Sequence, residues 1–160
     1  MSHDKTMAKT AFRKAERSDT DQLTPLFCRF FDEEGMAVDP ARLTENLGRM
    51  LDDSRAHIVL ALEGTAIIGF VSITLTIGVE FGLAAEIEDL YVVPDHRGCG
   101  LSRQLMEQAL AWCEAEEASE VIVVITPTGR DDQGLADFYA KFGFSDSERL
   151  VMYRNLRPSA

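Results

Sequence analysis

Cysteine is scarce and unpaired in this 160-residue chain: Cys28, Cys99 and Cys113 are the only three. Their odd number and lack of paired spacing fit reduced thiols in a cytoplasmic protein better than a disulfide framework. None has a cysteine or histidine at metal-ligand spacing, so no metal site is expected. Neither His57 nor His96 has a serine, cysteine or carboxylate partner visible in the sequence, so a Ser-His-Asp relay is not supported. No apolar run approaches the ~18 residues of a membrane span. Bases are outnumbered, 16 lysines and arginines against 27 acids, for a net charge of −11. Nucleic-acid phosphates would be repelled. The same charge suits a cationic substrate, or simply solubility.

The apolar fraction of 46% is enough for one folded domain. The polar stretch 1–9 has no apolar core, so it is expected to be a flexible tail and not a secretory signal, and a single domain is expected over 10–158. Thr10–Glu16 predicts a first strand. Ser18 or Asp19 caps a helix carrying Leu23, Leu26, Phe27, Phe30 and Phe31. Asp39-Pro40 opens a second helix with Leu43, Leu47, Met50 and Leu51 as its stripe. Strands His57–Glu63 and Ala66–Ile77 form a hairpin at Gly64-Thr65. Ala84–Val93 is a fourth strand and Leu101–Glu117 a helix. Val121–Ile125, wholly apolar, predicts a strand buried on both faces. A loop at Pro127–Asp132, a helix at Gln133–Phe142 and a strand at Arg149–Leu156 complete a mixed α/β sheet of six to seven strands with helices on both faces. Strands four and five are parallel through a helical crossover.

The stretch from Glu86 to Gly100, EIEDLYVVPDHRGCG, reads as a strand ending at a proline, then a glycine-rich loop opening a helix. Unpaired N–H groups and the helix dipole make such a junction an anion site. Strand alternation places Glu86 and Glu88 on one face and Asp89 on the other. A phosphorylated cofactor beside groups able to remove a proton is the resulting expectation.

Arg97-Gly98-Cys99-Gly100-Leu101-Ser102, the lead-in Leu90-Tyr91-Val92-x-Pro94, and Ala136-Asp137-Phe138-Tyr139-x-x-x-Gly143-Phe144 resemble the two landmarks of the GNAT superfamily of acetyl-CoA-dependent N-acetyltransferases. The resemblance extends to element order along nearly the whole chain. It implies that acetyl-CoA is the cosubstrate. Its pyrophosphate would lie on the loop backbone at Gly98, Cys99, Gly100, Leu101 and Ser102, with Arg97 assisting, and its pantetheine arm along the backbone of Leu90, Tyr91 and Val92. Two positions depart from the family pattern: Ser102 replaces a small Gly or Ala, and Gln133 stands where many members carry an Asn that touches the cofactor. The Cys99 thiol is a spectator. Glu88 is the first expectation for the base and Glu86 the second, with a salt bridge or substrate anchor as the alternative role of each. Tyr139 falls where the family has its general acid, although a packed aromatic would explain it too. The Val92 N–H would polarise the thioester carbonyl.

In this superfamily the first two helices and the turn after the third strand shape the acceptor pocket. Those segments carry Phe31, Asp32, Glu33, Glu34, Glu80 and Phe81, together with Phe30, Met36 and Asp39. Acidic and aromatic groups suit a small amine-bearing cation, with an aminoglycoside-type antibiotic as the best expectation. The loop Gly129-Arg130-Asp131-Asp132 is similar to that of some aminoglycoside acetyltransferases. Polyamines, amino-acid amines and protein amines are alternatives, as is a non-catalytic acyl-CoA-binding regulatory module. Relatives often form homodimers.

Overall fold

The computed structural model describes residues 9–157. Nearly all of the expected tail 1–9 therefore lies outside the described residues. These residues form two compact units, one ending at Val124 and the other beginning at Ile125.

The first unit holds one five-stranded sheet in the order β1 (Ala11–Lys14), β2 (Ala56–Glu63), β3 (Ala66–Gly78), β4 (Gly82–Val92) and β5 (Glu120–Val123). All neighbours are antiparallel except β4 and β5, which are parallel across the helical crossover. Helices α1 (Thr20–Glu33) and α2 (Pro40–Asp52) join β1 to β2, and α3 (Leu101–Ala115) joins β4 to β5.

Alternation along the central strands sorts side chains onto two faces. Leu60, Phe70 and Tyr91 lie across from one another and pack with Leu23 and Phe27 of α1 and Leu43 and Leu47 of α2. Phe70 is fully buried, with its ring 4.1 Å from Phe27. The opposite face is covered by α3. A Cβ on Gly69 would come within 3.2 Å of Leu105 Cδ1, and His57 stacks on Trp112 at 4.5 Å. Burial, then the neighbouring Lys14, lowers the His57 pKa to about 4, so the imidazole is neutral in this stack.

Local signals explain most boundaries. Asp39 accepts from the Ala41 N–H at 3.1 Å, and Pro40 sits at the first helical position, so α2 begins where expected. Asp19 precedes α1, but its carboxylate does not cap that helix. It takes two 2.8 Å bonds from Arg13 of β1 and one from the Glu16 N–H, because Arg13 is the stronger donor.

The second unit contains two short helices, α4 (Pro127–Asp131) and α5 (Leu135–Ala140). Residues Pro127–Asp131, expected as loop, are helical because Thr126 accepts from the Gly129 N–H. Arg149–Leu156 does not form the expected strand. Leu150, Met152 and Tyr153 are over 80% exposed, and the second unit offers no strand to pair with among the described residues. The sheet therefore has five strands instead of six to seven. Val121–Ile125 departs from expectation as well. Edge strand β5 ends at Val123 and leaves Ile122 41% exposed, because an apolar run reports hydrophobicity and not what covers it.

Candidate active site

The centre of β4 is irregular. Ser72 pairs with Asp89 and Ile73 with Ile87, so Glu88 is an extra residue with no opposite number on β3. This β-bulge resets the alternation. Glu86, opposite Thr74, and Asp89, opposite Ser72, consequently lie on one face, the face that carries Tyr91 and Phe70. Ser72 Oγ donates to Asp89 Oδ2 at 2.6 Å, and Thr74 Oγ1 donates to Glu88 Oε1 at 2.6 Å. Three carboxylates therefore gather on the α1/α2 face. The expectation that Asp89 faces away from Glu86 is overturned, since strict period-two counting fails across a bulge. Nothing in the β4 sequence marks the irregularity. The available signal was on β3, where Ser72 and Thr74 punctuate an apolar run on one face.

Burial raises the Asp89 pKa to about 6; the Ser72 hydrogen bond opposes this and the Glu88 charge adds to it. Glu86 is also raised, first by burial and then by Glu88. Both carboxyls are more basic than a free one.

Pairing between β4 and β5 stops at Ile87 with Val123, although β4 continues to Val92. Beyond Ile87, β5 leaves that edge of β4 uncovered, including Leu90, Tyr91 and Val92. The chain then passes through a 3-10 turn (Pro94–His96) into the glycine loop. Gly98 (φ +78°) and Gly100 (φ +81°) adopt the left-handed conformation that glycine tolerates, and a Cβ at either would meet nothing within 4 Å. Gly100 caps α3 without a side chain, and its carbonyl takes the Gln104 N–H at 3.1 Å. The N–H groups of Leu101, Ser102 and Arg103 precede that first helical bond and are open to an anion. An open backbone with left-handed glycines at the positive end of the helix dipole fits a diphosphate. Cys99 Sγ contacts the His96 carbonyl at 2.8 Å, within its own turn.

Arg97 is engaged within the protein. Its Nε donates to the Val92 carbonyl at 2.8 Å and its Nη2 to Glu33 Oε2 at 2.7 Å, while the guanidinium lies 5.4 Å from the Tyr91 ring centre. Tyr91 Oη donates to Glu33 Oε1 at 3.0 Å. Burial acts against the Glu33 carboxylate, but the bonds from Arg97 and Tyr91 outweigh it and hold its pKa below the usual value. Arg97 and Glu33, expected to serve the cofactor and the acceptor respectively, are partners that tie the end of α1 to the glycine loop. A pairing 64 residues apart leaves no trace in local sequence.

The residues expected to line an acceptor pocket are dispersed. Phe30 and Phe31 pack against the apolar core beside α1, while Asp32 is exposed. Glu80 and Phe81 belong to the turn before Gly82, where the Phe81 ring covers Gly78. Nine residues of extended chain separate Gly82 from Tyr91, roughly 30 Å along β4. The structure thus does not bring Phe81 to Glu33.

In the second unit, Tyr139 of α5 is 9% exposed, with edge-to-face contacts to Phe138 at 5.1 Å and Phe144 at 5.7 Å. Gln133 lies in the turn between α4 and α5. Among the described residues, no three His, Cys, Asp or Glu side chains are grouped to hold a metal ion, and no helix is long and apolar enough to cross a membrane.

Residues 20–144 match the acetyltransferase (GNAT) family. No curated protein matches the chain in sequence. Among solved structures, an integron cassette protein from the mobile metagenome of Cole Harbour Salt Marsh is similar over 92% of this chain and 91% of its own, with 25% identity and a TM-score of 0.78. A predicted acetyltransferase with acetyl-CoA from Clostridium acetobutylicum shares 20% identity over 91% of this chain and 96% of its own, with a TM-score of 0.77. The aminoglycoside N-acetyltransferase AAC(6')-Iy in complex with CoA shares 16% identity over 93% and 96%, also with a TM-score of 0.77. At such identities the last two show a shared fold, whereas the family match spans most of the sequence. The chain belongs to the acetyltransferase (GNAT) family.

Proposed function

We propose that this acetyltransferase moves the acetyl group of acetyl-CoA to a primary amine on a small cationic molecule, with an aminoglycoside-type compound as the first candidate. One observation carries the reading: β4 loses its β5 neighbour after Ile87, carries carboxylates at that point, and runs on into a glycine loop at the mouth of α3. Along the uncovered edge from Leu90 to Val92, the Leu90 backbone groups and the Val92 N–H can hydrogen-bond the amide-rich pantetheine arm, the Val92 carbonyl being taken by Arg97. The N–H groups from Gly98 to Ser102 can take the diphosphate.

The chemistry requires a neutral amine. Its lone pair attacks the thioester carbonyl carbon, the carbon–sulfur bond breaks, and the amine proton passes to a carboxylate directly or through water. Glu88 and Glu86 stand on the strand that provides the base. Tyr139 has the role of proton donor to the departing thiolate by its place in the family motif. The acidic balance of the chain and the acceptor enzymes known on this fold both support a cationic amine.

The test mixes the purified protein and acetyl-CoA with kanamycin, spermidine and a lysine-containing peptide in turn, and follows free thiol. Amine-dependent thiol release, greatest with kanamycin, is expected. Intact CoA binding without release for any amine would support a regulatory acyl-CoA-binding module instead.

A further inference from the structure

The geometry points to Asp89 as the general base of the acetyl transfer, with Ser72 as the residue that positions its carboxylate. This inference rests on the acetyl-transfer reading above.

Position along β4 separates the three acids. Asp89 lies one to three residues from the uncovered edge at Leu90–Val92, roughly 3 to 10 Å of extended chain. Glu86 lies four to six residues from that edge, roughly 13 to 20 Å. A proton relay through one water spans the first interval far more readily than the second. Glu88 is nearer than Glu86, but it is the looped-out residue of the bulge, its side chain is exposed, and Thr74 holds one of its oxygens.

Asp89 also has the more restrained carboxylate. Ser72 is fully buried and donates to Oδ2 at 2.6 Å, which fixes the group and leaves Oδ1 without a hydrogen-bond donor among the described residues. One oxygen is anchored and the other remains available to accept a proton. Burial has already raised its basicity, to a pKa of about 6, so at neutral pH the group is ionised yet more basic than an ordinary aspartate. Around it are Glu86 and Glu88 on β4 and the neutral Ser72 and Thr74 on β3. Arg29 and Glu33 of α1, with Arg97, lie farther along the face beyond Tyr91. Arg49 of α2, Asp53 and Arg55 line a groove beside Thr74. Among the described residues, no cation is paired with Asp89 to cancel its basicity.

In the step, the amine nitrogen forms its bond to the acetyl carbon, the nitrogen–hydrogen pair returns to nitrogen, and the proton goes to Asp89 Oδ1 directly or through one water. The carbon–sulfur pair leaves with sulfur, and the CoA thiolate takes its proton from the donor assigned in the reading above, Tyr139.

The experiment measures kcat/KM against pH, expressed per neutral amine so that the substrate's own titration is removed, with acetyl-CoA and whichever of kanamycin, spermidine and the lysine peptide turns over. Wild type, Asp89→Asn, Glu88→Gln, Glu86→Gln and Ser72→Ala are compared, and CoA affinity is measured separately by calorimetry. Wild-type activity is expected to fall as pH drops through about 6. Asp89→Asn should lose about 100-fold or more in rate, lose that acid limb, and bind CoA as wild type does. Glu86→Gln should keep the limb, and Glu88→Gln should keep it but move it to lower pH, because the Glu88 charge helps to raise Asp89. Ser72→Ala should move it to higher pH, because the hydrogen bond it removes favours the ionised carboxylate; this arm decides the matter even if Asp89→Asn fails to fold. An active wild type whose limb survives in Asp89→Asn, or is unmoved in Ser72→Ala, contradicts the role of Asp89 alone. A wild type that turns over none of the three amines contradicts the acetyl-transfer reading and this inference with it.

Discussion

Asp19 and Asp89 are both largely withdrawn from water, and their partners drive them in opposite directions. Hydrogen bonds from Arg13 outweigh burial at Asp19 and lower its pKa. Its contribution to stability is thus present above the ordinary aspartate value of 3.8 and is lost as pH falls below it. Asp19→Asn should cost about 2 kcal/mol at neutral pH, since a charge-assisted pair is broken while the shape is kept. Urea unfolding should show most of that gap closing in acid. At Asp89, burial has only the hydroxyl of Ser72 to offset it, so the folded state holds the proton more tightly than the unfolded chain does. Stability is therefore lost as pH rises from about 4 to about 6. Asp89→Asn should be more stable than wild type at pH 8, by about 1–3 kcal/mol, and should lose that advantage in acid. A variant that is more stable but slower is the usual signature of strain kept for function.

At the scale of elements, packing on the α1/α2 face depends on Phe70, which lies fully buried across from Leu60 and Tyr91. Phe70→Ala should cost about 3–5 kcal/mol in urea unfolding, and a loss below 1 kcal/mol would mean that α1 does not rest on the sheet as described. Much of this layer was legible in the sequence. Asp39-Pro40 announced α2, Gly64-Thr65 the hairpin, and the glycine spacing after Arg97 the mouth of α3. Each of these is a local steric or hydrogen-bonding requirement, which is why residue order alone reveals it. Three features were not legible. The bulge at Glu88 depends on how two distant strands choose their register. The pairing of Arg97 with Glu33 depends on where α1 ends in space. Arg149–Leu156 carries an apolar run from Leu150 to Tyr153, but such a run supplies no neighbour. In the candidate site, the carboxylates and the loop could be read in advance, while the face on which Asp89 lies could not.

For the molecule as a whole, the net charge of −11 sets a long-range field. Cationic acceptors are drawn toward such a surface, and salt screens the attraction with a length of about 8 Å at physiological ionic strength. Raising salt from low to physiological levels should lower kcat/KM for a multiply charged amine such as spermidine several-fold, and change that of a singly charged amine far less. Equal salt responses would show that the charge serves solubility only.

The central claim is that the backbone between Gly98 and Ser102 holds the diphosphate of CoA. Calorimetric titration of CoA into wild type and Gly100→Val tests it most directly. A side chain at φ +81° costs about 1–2 kcal/mol and occupies the open space beside the loop backbone that the ligand must approach. Saturable binding at a single site in wild type, lost in a variant that still melts cooperatively, is the predicted result. Equal affinity in the two proteins, or no binding to wild type, would contradict it.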